Sequence, residues 1–258
     1  MDVQSADFDG TMPESMSAQN TSPITSELRS FGRRRARKTT ARQRMLVDHA
    51  LPLWRVDPSA PQLSDPQAIF GNNASETWLE IGFGGGEHLL WQAEQNPHVG
   101  FIGCEPFIDG TIKVLDAIES RDMANIRLYD DDARHVLRWL PQACVSRVFV
   151  LFPDPWPKKR HNKRRLLNAA TLNLIASVMQ SGAELRIATD IGDYARSILL
   201  EMQDVASLIW TAKNPHDWRI RPADWPETRY ERKALKEGRC CYYFHFEKTN
   251  TMEQCPKY

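Results

Sequence analysis

The chain has 258 residues, 41% of them hydrophobic and 26% charged, enough apolar material to close a sizeable core around one large domain with an appendage. Thirty-three basic side chains balance thirty-three acidic ones, which excludes a uniformly basic, histone-like surface but allows local patches. No run approaches the roughly 18 apolar residues of a membrane span, and the acidic start is unlike a secretory signal. Five cysteines without a C-x-x-C pair argue against a zinc site or a disulfide framework, so a cytoplasmic protein with no bound metal is expected.

The first 28 residues carry five acidic side chains and no Lys or Arg, and with so little apolar surface to offset ordering entropy a disordered tail is expected. From Arg29 to Arg44 the sign reverses: Arg29, Arg33, Arg34, Arg35, Arg37, Lys38, Arg42 and Arg44 meet no acid. This basic arm and helix, 29–55, precedes the folded domain, 56–258, through a connector containing Pro52, Pro58, Pro61 and Pro66. The patterning then predicts a strand at Glu76–Ile81, a helix at Glu87–Gln95, a strand at Val99–Cys104, a helix at Ile108–Ser120 and a strand at Asn125–Tyr129. A short helix at Ala133–Leu140 leads to a β-branched and aromatic strand at Arg147–Phe152 and a long helix at Arg164–Gln180. A strand at Glu184–Ala188, a helix at Asp193–Met202, an extended run at Ser207–Thr211 and a final strand at Cys240–Phe246 complete the series. Such alternation points to an α/β sheet, mostly parallel, with helices on both faces.

In such sheets ligands bind beyond the carboxyl ends of the strands. Five successive strand ends here carry acid: Glu80, Glu105, the run Asp130-Asp131-Asp132, Asp154 and Asp190. Core packing gives no reason for that, since a carboxylate there must be solvated or matched to a ligand. Gly82, Gly84, Gly85 and Gly86 fall within five residues, permitting positive φ and close approach of a ligand to the backbone. Their spacing is neither the G-x-G-x-x-G of a dinucleotide site nor a P-loop ending in Gly-Lys-Ser/Thr. Glu80, just ahead of the turn, would repel a pyrophosphate but attract an amino group, and Glu105 can take both ribose hydroxyls. A nucleoside bearing a cation instead of phosphates describes S-adenosylmethionine. Asp132 suits either the adenine amino group or the cap of the helix starting at Ala133, and the register of the adenine contact stays open among Asp130, Asp131 and Asp132.

A longer motif is more specific: Phe152-Pro153-Asp154-Pro155-Trp156-Pro157-Lys158-Lys159-Arg160-His161-Asn162-Lys163-Arg164-Arg165. Joined to the glycine turn, Ala188-Thr189-Asp190 and Thr228-Arg229-Tyr230-Glu231, it resembles the bacterial tRNA (guanine-N7-)-methyltransferases over roughly Arg29 to Phe246. The resemblance implies a class I methyltransferase, with a Rossmann-like sheet that is mostly parallel with one antiparallel strand. It implies methyl transfer from S-adenosyl-L-methionine to N7 of guanine 46 in the tRNA variable loop. Glu80, Gly82, Gly84, Gly86, Glu105, Asp132 and Asp154 would then serve the cofactor, with Asp154 catalytic. Lys158, Asp190, Thr228, Arg229, Tyr230 and Glu231 would bind substrate, and Arg160, His161, Asn162, Lys163, Arg164 and Arg165 would contact RNA. No obligatory protein partner is expected, whether the chain is a monomer or a homodimer.

Blander readings accompany these. Thr228-x-x-Glu231 fits a helix capping box equally well, Asp154-Pro155-Trp156-Pro157 suits a rigid turn, and a basic run alone suits a solvated face. The rival activities are an amino-methyltransferase, which usually carries Asp/Asn-Pro-Pro-aromatic instead of the order found here, and a non-catalytic RNA-binding protein on the same fold.

Overall fold

The computed structural model describes residues 39–71 and 74–250; the expected disordered tail, 1–28, lies outside them. Its strands are β1 (Glu76–Ile81), β2 (Val99–Cys104), β3 (Ile126–Tyr129), β4 (Val145–Leu151), β5 (Met179–Thr189), β6 (Leu208–Trp210) and β7 (Tyr242–Lys248). They form one sheet in the order β3-β2-β1-β4-β5-β7-β6. Strands β1 to β5 pair in parallel, and β7 lies antiparallel between β5 and β6. The expectation of a mostly parallel sheet with one reversed strand holds.

The helices are α1 (Ala41–Met45), α2 (Leu51–Trp54), α3 (Glu87–Gln95), α4 (Ile108–Arg121), α5 (Ala133–Trp139), α6 (Ala169–Val178), α7 (Gly192–Met202), α8 (His216–Arg219) and α9 (Arg229–Lys236). Strand side chains alternate between two cores, as the period of two requires. Leu79, Ile81, Ile102, Val148, Val150 and Ile187 pack with residues of α5, α6 and α7. Trp78, Phe101, Phe149 and Leu151 pack on the opposite face with α3, α4 and the helical segment that runs through Leu46, Ala50 and Leu51. That segment is tied to edge strand β3 where Val56 N–H donates to the Leu128 carbonyl (2.9 Å). Among the described residues no helix is long and apolar enough to cross a membrane.

The long helix expected over Arg164–Gln180 is formed only over Ala169–Val178. Lys159–Arg164 make a 3₁₀ turn and α6 begins only at Ala169, where the Asn168 side chain accepts the Thr171 N–H (3.1 Å). Leu166 and Leu167 continue an apolar pattern that a periodicity count reads as helix, but Leu167 is instead buried from an extended connection. The helix also stops early, because Met179 already pairs with Val145 as the start of β5.

Strand order places the site. The chain starts at β1 in mid-sheet, adds β2 and β3 on one side, then crosses to add β4 and β5 on the other. The order reverses between β1 and β4, so the turn after β1 and the loop after β4 flank the crevice where such sheets bind ligands.

Candidate active site

At the end of β1, Gly82, Gly84 and Gly86 all adopt positive φ, +78°, +56° and +82°. Gly86 caps α3 from the left-handed region, and a Cβ there would collide with Val114. The turn is held from β2 by Glu105, whose Oε2 accepts the Gly84 N–H (2.7 Å) and Oε1 the Phe107 N–H (2.9 Å). Burial raises this carboxyl above its ordinary value, and the two N–H bonds offset only part of that. Each oxygen keeps a second lone pair, enough for a pair of ribose hydroxyls.

Glu80 departs from expectation. Its carboxylate is buried and does not line the crevice; it accepts from His88 Nδ1 at 2.7 Å, under the first turn of α3. Gln92 Nε2 donates to the Asp224 carbonyl (2.8 Å) and lies 3.2 Å from His88 Nε2. An amide nitrogen in that place makes His88 Nε2 the acceptor and puts the ring proton on Nδ1, facing Glu80. The first acid of the motif therefore ties β1 to the first turn of α3 through His88.

A groove of about 440 Å³ opens from the glycine turn to the loop after β4, lined among others by Gly84, Glu105, Asp132, Asp154, Trp156 and Tyr230. That size suits a nucleoside-sized ligand. At one end, Asp132 both caps α5, accepting the Arg134 N–H (3.0 Å), and holds the Arg134 guanidinium in a two-point contact (2.9 and 2.6 Å). Burial raises its carboxyl, but the bonds from Arg134 outweigh that and hold it below the ordinary value. Asp131 lines the groove beside it, whereas Asp130 is turned away to Arg55 (2.7 Å). The open register thus narrows to Asp131 and Asp132.

Asp154 stands at the other end. Its carboxylate has solvent access through the groove, yet the protein packed around it raises its pKa by desolvation. Among the described residues no hydrogen bond or ion pair engages it. The residues bracketing its proline-flanked segment, Phe152 and Trp156, hold φ of +52° and +43°. Positive φ is a true outlier for bulky side chains, costing on the order of 1–3 kcal/mol each, and such outliers cluster at functional sites.

The basic run does not act as one face. Lys158, Lys159, Arg160 and Lys163 are exposed, and His161 and Arg164 half-buried beside Trp156, with the Arg164 guanidinium 5.0 Å from the Trp156 ring centre. Arg165 is buried: its Nε donates to the Pro155 carbonyl (3.0 Å) and its Nη2 to Asp193 (2.5 Å). The expected RNA contact of Arg165 is corrected, because the residue is buried with Nε and Nη2 turned to Pro155 and Asp193.

The Thr228–Glu231 motif divides similarly. Thr228 Oγ1 accepts the Glu231 N–H (3.2 Å), capping α9, and buried Glu231 takes Tyr243 Oη (2.7 Å) and Arg221 Nε (2.9 Å). Thr228 thus serves as an N-cap, while the Glu231 carboxylate is held by Tyr243 and Arg221 and does not close the reciprocal half of a capping box. Arg229 and Tyr230, on the exposed side, overhang Gly84 and Gly85, and Arg229 pairs with Glu87 (3.6 Å). Asp190 lies outside the groove lining in an ion pair with Arg239 (2.7 Å). Sequence reasoning missed Arg239, Arg134 and His88, which are ordinary charged or helical positions until the fold sets them beside their partners. It also missed Gly110, whose only signal is a glycine inside a helical pattern: a Cβ there would overlap the Gly84 carbonyl oxygen.

Comparison with known proteins agrees with this geometry. The model of a methyltransferase family matches residues 74–244. The chain is 43% identical over 87% of its length to a tRNA (guanine-N(7)-)-methyltransferase of Nitrobacter hamburgensis, covering 88% of that protein. The chain belongs to the tRNA (guanine-N7-)-methyltransferase family. A second member, from Hyphomonas neptunium, is 46% identical over 81% of this chain and 94% of its own. Among solved structures, an antibiotic-related methyltransferase covers 73% of this chain and 96% of its own at a TM-score of 0.50 and 15% identity, a likeness of fold alone. Family membership fits the division found in the site: a glycine turn and acids facing one groove, and exposed cations along its rim.

Proposed function

We propose that this protein transfers a methyl group from S-adenosyl-L-methionine to N7 of guanine 46 in the variable loop of tRNA, in the cytoplasm. The observation that carries this reading is the Asp154 carboxylate, without a hydrogen bond or ion pair among the described residues, facing the same groove as the glycine turn and Glu105. The groove suits the donor: Glu105 offers two lone pairs to the ribose, and Asp131 and Asp132 line it as acceptors for the adenine amino group. Bound there, the donor would supply an electrophilic sulfonium methyl to guanine N7 by in-line displacement, the S–CH3 bond breaking as N7–CH3 forms and the neutral thioether S-adenosylhomocysteine leaving.

The protein need not remove a proton, because N7 already has an in-plane lone pair. What its residues provide is alignment, which can supply about 7–11 kcal/mol, and negative potential beside the cation that forms on the base. Asp154 serves the second need and, as an acceptor, matches the N1–H and N2 amino donors of guanine; adenine would turn an acceptor toward it. Tyr230 and Arg229 close over the donor turn. Lys163 and Arg164 line the groove, and with the exposed Lys158, Lys159 and Arg160 nearby in the chain they would offer contacts for tRNA phosphates. The test is transfer of labelled methyl to unmodified tRNA with nucleoside analysis. Label in 7-methylguanosine, lost when the variable-loop guanine is replaced, is expected; label in any other nucleoside would overturn the assignment of the target.

Burial also sets a pH dependence. Glu105 and Asp154 both have raised pKa values, so the empty site takes up protons at a pH where ordinary carboxylates are still charged. A cationic donor favours the ionised forms, so its affinity should fall on acidification, starting above the pH at which ordinary carboxylates protonate, by up to tenfold per unit for each proton taken up. Stability of the empty protein runs the other way: the contribution of these two groups is present below their unfolded values and lost as pH rises through the raised ones. Calorimetric titration with donor at successively lower pH checks the first sign, and a pH-independent affinity would contradict it.

A further inference from the structure

We propose that Arg165, together with Asn162, is a positioning residue that clamps the strained Asp154 loop, and that it does not contact RNA phosphate; this rests on the methyl-transfer reading above. Pro153, Pro155 and Pro157 remove three backbone donors from five residues, so the loop cannot tie itself down with a regular backbone ladder. Its carbonyls still need partners. Arg165 Nε donates to the Pro155 carbonyl at 3.0 Å. The Asn162 amide, oriented with its nitrogen toward the carbonyls around it, donates to Trp156 (3.1 Å) and Lys158 (3.3 Å). These contacts bear on the segment whose ends, Phe152 and Trp156, sit at positive φ and persist there only if their surroundings over-determine the conformation.

Arg165 is in turn fixed on its other sides. Its Nη2 donates to Asp193 at the start of α7 (2.5 Å), its guanidinium lies 4.8 Å from the centre of the fully buried Tyr194 ring, and its N–H donates to the Asn162 carbonyl (2.9 Å). Asn162, half-buried in the 3₁₀ turn, and Arg165, buried just after it, face the Asp154 loop, while Lys158, Lys159, Arg160 and Lys163 remain exposed. The Arg165 side chain is 4% exposed against 71% for Asp193, so the pair is anchored from inside the protein rather than from solvent. A lysine keeps the charge but not the planar fork, and it cannot reach Pro155 and Asp193 while lying on Tyr194.

The experiment compares steady-state methyl transfer to tRNA by the wild type, Arg165→Lys, Asp193→Asn and Lys163→Ala, with tRNA affinity measured against salt. The clamp predicts that Arg165→Lys lowers kcat by about 10–100-fold, the effect of misplacing a reacting group by about an ångström, with tRNA KM and salt slope unchanged. Asp193→Asn, at an exposed side chain that folding tolerates, lowers kcat in the same direction by less. Lys163→Ala instead weakens tRNA binding and flattens the salt slope by about 0.7–0.9. The proposal is overturned if Arg165→Lys keeps kcat but raises tRNA KM and flattens the salt slope, or if Asp193→Asn tightens tRNA binding at full kcat by freeing the guanidinium. A wild type that transfers no methyl to tRNA would sink the wider reading instead, and the two failures are thereby distinct.

Discussion

Replacing Asp154 with alanine is expected to slow the methyl-transfer step by about 10²–10³-fold, the usual loss when one preorganised electrostatic group is removed, while tRNA affinity stays as it was. The expectation follows from what the side chain does not do. Its carboxylate is engaged by no hydrogen bond or ion pair among the described residues, so its removal leaves no buried partner stranded. Its loop is held through the carbonyls of Pro155 and Trp156, which the substitution does not touch. Stability should therefore change little, and the loss should appear in single-turnover rates. Asp154→Asn separates charge from shape: if negative potential is the contribution, the amide should lose nearly as much as alanine. An asparagine variant with wild-type turnover would take Asp154 out of the mechanism.

The sheet was legible in the sequence because parallel strands buried on both faces must be apolar at nearly every position, and Trp78–Ile81, Phe101–Cys104 and Val148–Leu151 are. The acids at their ends were legible for the complementary reason that packing cannot account for them. What could not be read was direction. Glu80 and Glu105 both end strands beside the same turn, yet one faces His88 in the interior and the other the groove. Period-two alternation assigns a face but does not reveal which helix residue waits there. Arg165 is chemically indistinguishable from Arg164 in the sequence; only the 3₁₀ turn that replaces the expected helical start turns one inward and leaves the other at the rim. Thr228 and Glu231 fit a capping box and a substrate site equally well by spacing; the fold forms only the Thr228 half of the box and draws the Glu231 carboxylate to Arg221 and Tyr243.

Gly110→Ala is expected to weaken donor binding by about 10–100-fold, although Gly110 lies in helix α4 and touches no ligand. Alanine is ordinarily the better helix residue, by roughly 1 kcal/mol over glycine, so propensity alone predicts a more stable protein. Sterics reverse the sign: the new methyl would occupy the space of the Gly84 carbonyl oxygen, a backbone atom and not the far end of a flexible side chain. The Gly84 peptide cannot retreat freely, because its N–H is held by Glu105 at 2.7 Å. Either α4 moves away from the sheet or the turn shifts and releases Glu105, and both deform the floor of the groove. Forced overpacking of this kind costs about 1–3 kcal/mol, which corresponds to about 5–150-fold if it falls on donor affinity. Gly71→Ala is the control, since a Cβ there meets only Ala124 at 3.8 Å, an ordinary contact. Calorimetric titration of both variants with S-adenosyl-L-methionine, alongside thermal unfolding, checks the contrast. If Gly110→Ala binds donor as tightly as Gly71→Ala, the close approach of α4 to the glycine turn does not shape the donor site.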